Sequence, residues 1–218
     1  MTREELIKKV ALKMDEVSSS DDVIVPVNIS DNNPLYTQID ALLNESVNDV
    51  LTKAPIYRIQ NHIETANADI VSMKDIFNGT RKVAVIAVPE DFIRIASISD
   101  EAFQRPIVDL ALEGDAVDKR QHNRFLVAGS AKPIAVIGRD VTGGRIITCY
   151  SYGNDATPAP SFNYIKRYNN DSDTSAETDL DGYMIDVVSW VCAGKVFAAQ
   201  GDINKGKLCD ENASALMV

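Results

Sequence analysis

The side chains able to do chemistry in this chain are few, and their spacing assembles none of the familiar reactive sets. His62 and His122 are the only histidines among 218 residues. A histidine works as a general base only beside a nucleophile and an orienting carboxylate. Neither lies in a Gly-x-Ser-x-Gly elbow, a catalytic-cysteine signature or a His-Glu-x-x-His helix, so both read as ordinary surface or polar-core residues. Cys149, Cys192 and Cys209 are odd in number and lack metal-type spacing. Cys192 falls on the apolar positions of a helix, where a thiol serves as a small hydrophobe. No disulfide framework is implied, which suits a reducing site of synthesis.

Asp171-x-Asp173-x-Ser175 has the alternating oxygens of a calcium loop, but Ala176 stands where that loop needs glycine and Gly182 where it needs glutamate. Gly143-Gly144 could cradle a phosphate only ahead of a helix, and it separates two β-rich runs instead. Gly129-Ser130-Ala131-Lys132-Pro133 lacks the P-loop pattern. Asn28, Asn78 and Asn170 open glycosylation sequons, read as chance matches because the N-terminus carries no apolar run of the secretory kind. Lys166-Arg167, between Tyr164 and Tyr168, is the one basic–aromatic cluster. It could touch DNA or an acidic partner, or simply end a strand. The expectation is a protein that is not an enzyme, with no catalytic, cofactor-binding or metal-ligating residues.

Composition supports that direction. Hydrophobic content of 45% with 25% charged residues is ordinary for a soluble globular chain. A net charge of −10 argues against a protein that grips nucleic acid by neutralising phosphates. It suits either solubility or a surface that DNA passes without sticking. The longest apolar runs, such as Val83 to Pro89, fall short of a membrane span.

The periodicities predict an α+β fold in which helices from both chain ends pack together around an inserted antiparallel sandwich or barrel. Thr2 and Glu5 form a capping-box pattern, and Leu6, Val10, Met14 and Val17 carry the first helix over 3–17. Residues 18–33 hold Val23, Val25, Val27 and Ile29 in alternation, with Pro26 confining them to an edge. That is the pattern of an extended arm, packed on its own subunit or added to a neighbour's sheet. Asn33-Pro34 starts a second helix, whose stripe runs from Leu35 to Leu51 and stops before Pro55. Residues 1–55 thus form an N-terminal helical part and 56–168 a β-rich insert of five or six strands. The expected strands are Val83 to Val88, Phe92 to Ile98, Pro106 to Leu110, Phe125 to Val127, and a hairpin from Pro133 to Tyr152 across Gly143-Gly144. A helical turn is expected within Asp69 to Phe77. Residues 169–218 supply an acidic linker and two helices, the first from Met184 to Phe197 with Gly194 permitting close approach. The second, capped by Asp202, is weakened by Gly206.

Several of these segments, in this order, resemble the head-to-tail connector proteins of tailed bacteriophages. These are the adaptor or ring proteins beneath the portal, including the tail tubular protein A group and the ring proteins of crAss-like phages. Tyr36 to Pro55 resembles the family's second helix, and Val88-Pro89-Glu90-Asp91-Phe92-Ile93-Arg94-Ile95 its "Pro-x-Asp-Phe-x-Arg" strand. Arg105-Pro106-Ile107 and Lys132 to Ile137 are similar to later β-elements, and Asp181 to Val196 to the alanine-rich return helix. The arm at 18–33 and the large β-insert depart from minimal helical adaptors.

The resemblance implies a virion structural protein, made in the host bacterial cytoplasm and built into a homo-oligomeric ring, commonly of twelve copies. It would dock under the portal protein, lengthen the DNA channel and seat further tail ring, tube or nozzle proteins. DNA would pass through without specific binding, and no membrane is involved. The C-terminal Leu216-Met217-Val218 is a candidate for a portal groove. The alternative is a non-catalytic β-domain binding module of a phage tail, holding a glycan or a protein.

Overall fold

The computed structural model describes residues 1–17, 34–66, 71–152, 159–169 and 180–217. The chain divides into a helical unit, residues 1–61 with 167–218, and a β unit, residues 62–166. The α+β class read from the sequence is what the chain adopts. The arm at 18–33, most of the acidic linker with its calcium-like motif, and Asn33 lie outside the described residues.

In the helical unit, α1 (Arg3–Val17) opens on the expected capping box. The Glu5 amide donates to Thr2 Oγ1 at 3.2 Å, and the Thr2 nitrogen donates to Glu5 Oε2 at 2.8 Å. Helix α2 (Pro34–Lys53) ends before Pro55, and short 3-10 turns at Ile56–Arg58 and Gln60–His62 lead out of the unit. Helix α4 (Gly182–Ala199) packs against α1, α2 and α5 (Ile203–Met217).

The stripe expected on α4 understates its apolarity. Met184, Ile185, Val187, Val188, Trp190, Cys192, Ala193, Val196 and Phe197 point in all directions and are all buried. By length and composition alone α4 could span a membrane, but more than half of it is enclosed by its neighbours. Asp181 Oδ1 accepts the Met184 amide at 2.7 Å at its start. At its end Gly201, at φ +88°, lets the Asp202 amide reach back to the Phe197 carbonyl at 2.9 Å.

Glycine explains how α5 closes the bundle. A β-carbon on Gly194 would lie 3.2 Å from the Gly206 carbonyl, and one on Gly206 would lie 3.1 Å from the Gly194 carbonyl. The two backbones touch where neither has a side chain. Gly206, a weakness in the sequence reading, is the helix contact itself. Arg3 is the other feature the periodicities do not reveal. Its guanidinium is buried between α1 and α2, with Nε 2.6 Å from Asp40 Oδ1, Nη1 2.8 Å from Asn44 Oδ1 and Nη2 3.0 Å from the Asp40 carbonyl.

The β unit holds two sheets. One is ordered β1 (Ile63–Thr65), β8 (Ser161–Lys166), β4 (Phe92–Ser99). The other is ordered β2 (Val71–Ile76), β3 (Arg81–Ala87), β7 (Arg145–Tyr152), β6 (Ala135–Arg139), β5 (Leu110–Leu112). They face each other across Ile86, Phe92, Ile98, Ile147, Phe162 and Tyr164. Behind the larger sheet Val83, Val85, Val136 and Tyr150 form a second cluster. Both faces of β3 are therefore covered, which is why Val83 to Ile86 is a continuous apolar run.

Four expectations change here. The sheet is not purely antiparallel, since β5 pairs parallel with β6. The helical turn expected within Asp69 to Phe77 is strand β2, joined to β3 through Asn78-Gly79 in left-handed backbone. Phe125 to Val127 forms turns rather than a strand, because its amides bond back to Asn123. Pro106 to Leu110 is shifted, with Ile107 making only an isolated bridge to Ile98 and the strand starting at Leu110. In β4 the alternation also breaks. Bulges between Phe92 and Arg94 and between Ile95 and Ser97 re-phase the strand, so that Phe92, Ile95 and Ile98 all point inward.

Substituting Gly206 by Val forces a branched side chain into the Gly194 carbonyl and should cost about 1–3 kcal/mol of stability, the usual range for overpacking. Thermal denaturation checks this. A gain in stability, as expected for replacing glycine on an open helix face, would show that the two backbones do not touch.

Candidate interaction surfaces

The residues with chemical potential are absorbed into structure. His122 caps α3 (Ala116–Gln121), its exposed ring 3.3 Å from Asp118 Oδ1 and edge-on to Tyr150. Asp118 Oδ2 accepts the Gly114 amide at 2.8 Å, so the carboxylate braces the turn before α3 and orients no nucleophile. His62 ends the second 3-10 turn, far along the chain from that pair. Among the described residues no cluster of His, Cys, Asp or Glu is arranged to hold a metal ion.

Gly143-Gly144 is a hairpin turn organised by Asp140. Its Oδ1 takes the amides of Thr142 at 2.8 Å and Gly144 at 2.9 Å and the Thr142 hydroxyl at 2.7 Å. Bonding from the Thr142 side chain, with the backbone amides behind it, holds the Asp140 carboxyl below its usual range. The amides a phosphate would need are spent.

The basic–aromatic cluster is divided. Lys166 pairs with Glu64 at 3.1 Å, Tyr164 turns into the core and donates to Asp91 Oδ1 at 3.1 Å, and the Tyr168 backbone exchanges two hydrogen bonds with the Asn48 side chain. Asp91 and Asp100 flank β4. Asp100 Oδ2 accepts the Tyr152 hydroxyl at 3.0 Å and the Ala159 amide at 2.8 Å. Both carboxylates root buried tyrosines whose hydroxyls would otherwise lack partners.

What remains open is surface. A cavity of about 760 Å³ in the β unit is a groove beside β5, bounded by the 105–109 segment, α3 and the 126–135 loop. Strand β5 ends the larger sheet, so among the described residues its outer side has no neighbouring strand. Val108 and Leu126 line the groove and are 52% and 59% exposed, and Phe125 beside it is 90% exposed. Arg105, Arg120 and Lys132 stand on its walls. The sequence signal that could have found this place was Phe125-Leu126, an apolar pair assigned to a strand.

All three thiols are buried. Burial pushes Cys149 up to about 12, with Asp100 adding to it, and pushes Cys192 and Cys209 up to about 11. The unfolded chain loses these protons near the ordinary thiol value, whereas the folded chain keeps them. Stability is therefore complete below about pH 8.5 and is lost as pH rises towards 11–12. Denaturation midpoints across pH 8–11 should fall, and a Cys149→Ala variant should fall less steeply. A flat profile would contradict the burial. Thiol reagents should label the native protein only upon unfolding.

Compared with known proteins, the sequence matches no family model and no curated protein.

Proposed function

We propose that the chain is a structural subunit of a phage head-to-tail connector: a ring protein that docks beneath the portal and extends the DNA channel towards the tail. The observation that carries this reading is the division of the chain. Helices from both ends make one bundle, and the whole β unit is an insertion between them. Such a chain offers one unit for lateral repetition and another for a neighbouring layer. Lateral repetition around an axis needs heterologous faces, and one molecule with two separately cored units can present several. The sequence resemblance in Tyr36 to Pro55, Val88 to Ile95 and Asp181 to Val196 points the same way.

The proposed partners are the portal protein, further copies of the chain in a ring commonly of twelve, and the adjacent tail ring, tube or nozzle proteins. An acidic chain of net charge −10 suits a channel through which DNA moves without being held. No step of chemistry is assigned to it, and its place is the virion. A second reading is favoured by one observation, the groove beside β5. There the β unit acts as a non-catalytic binding module of a phage tail for a glycan or a protein ligand.

Electron microscopy of the purified chain mixed with its portal should show rings stacked on the portal. Portal particles that never acquire the extra layer would overturn the reading. In the same preparation duplex DNA at physiological salt should not be retained by the free chain, and tight salt-sensitive retention would contradict the passive channel.

A further inference from the structure

We propose that the groove beside β5 receives residues 21–29 of a second copy of this chain, laid against the outer side of β5 as an added strand. The inference rests on the ring reading for the neighbouring copy.

The groove side is described by three observations. The outer side of β5 is a sheet edge. At Leu112 this edge is already closed, because Asp115 Oδ2 accepts the Leu112 amide at 3.2 Å and the Leu112 carbonyl accepts the Asp115 amide at 3.2 Å. An incoming strand is thus confined to the stretch from Val108 to Leu110, where Val108 and Leu126 are exposed apolar surface. Finally, Arg105, Arg120 and Lys132 line this groove beside Asp109 and Asp115, a small excess of positive charge on a chain of net charge −10, and none of the three cations is in an ion pair among the described residues.

The occupant's chemistry follows from the sequence between α1 and α2. Sixteen residues, 18–33, separate these helices, from Val17 to Pro34, where bundle connections usually take about 2–8. The segment carries Asp21, Asp22 and Asp31 and no basic residue, which complements the groove's excess of cations, three against Asp109 and Asp115. Val23, Val25, Val27 and Ile29 would present one apolar face from a strand. Pro26 lacks an amide hydrogen, and in such a strand the backbone groups of Ile24, Pro26 and Asn28 share one side while those of Val23, Val25 and Val27 share the other. The segment can therefore pair fully along one side only. It completes a neighbour's edge and ends strand addition there, as a closed ring requires and a fibre does not.

The test uses a fluorescent peptide of residues 18–33 and the full chain with its own 18–33 replaced by Gly/Ser of equal length. Saturable binding is expected by anisotropy, at least tenfold weaker with Arg120→Glu or Leu126→Asp in the folded chain. A peptide of scrambled order should not bind. No saturable binding, or binding indifferent to both substitutions, overturns the proposal. The source of the strand is read by mixing a Val25→Cys chain with a heavier Leu126→Cys chain under oxidation. A mixed disulfide dimer is expected. If a disulfide forms only when both substitutions share one chain, the strand folds back on its own subunit and the second-copy assignment is wrong. These readouts need no portal, so peptide binding without portal rings would count against the ring reading alone, and portal rings without peptide binding against this proposal alone.

Discussion

Helix α4 is apolar around most of its circumference, with Asp186 and Lys195 as its charged exceptions. Eleven of its residues are buried, so it is stable only when other helices enclose it. Those helices come from both ends of the chain, α1 and α2 before the β unit and α5 after it. The chain must return from the β unit and fold against its own beginning. The Gly194–Gly206 backbone contact sets how near α5 can come, and the buried Arg3 with Asp40 and Asn44 fixes α1 to α2. Lys195 on α4 adds a polar tie to α2, 2.6 Å from Glu45 and 2.7 Å from Asp49.

The β unit solves a different problem with its own core. Pro89 turns the chain from the larger sheet into the smaller one, and Phe92 drops between Phe162 and Tyr164, with ring centroids 5.9 and 6.0 Å away. The Arg145 guanidinium covers the same ring at 5.7 Å. Acidic residues that might have suggested catalysis are spent on this framework: Asp91 and Asp100 on tyrosines, Asp140 on the hairpin turn, Asp115 and Asp118 on α3.

Helix positions were legible because period and caps agreed. Thr2 with Glu5, Pro34, Pro55 and Asp202 each mark an end that the backbone obeys, whereas the Asp181 cap of α4 went unread. Strands were legible where both faces are buried, as in β3, or where a Gly-Gly turn joins two runs. In β4 the strand was legible but its bulges, which break the period of two, were not, and β2 was not legible at all, because its Ser72 to Asp75 are exposed and have no apolar face to advertise. The parallel β5–β6 pair depends on tertiary placement, for which three residues of sequence hold no signal. The groove could not be read, because it is made by a strand edge, a short helix and a loop distant in sequence.

The proposed connector role makes the chain a stoichiometric part of a particle. The most direct measurement is quantitative mass spectrometry of purified phage particles that encode it. A ring beneath the portal predicts this polypeptide in every preparation, in a fixed ratio to the portal close to one to one. Particles that lack it, or hold it in traces that wash away, would contradict the role.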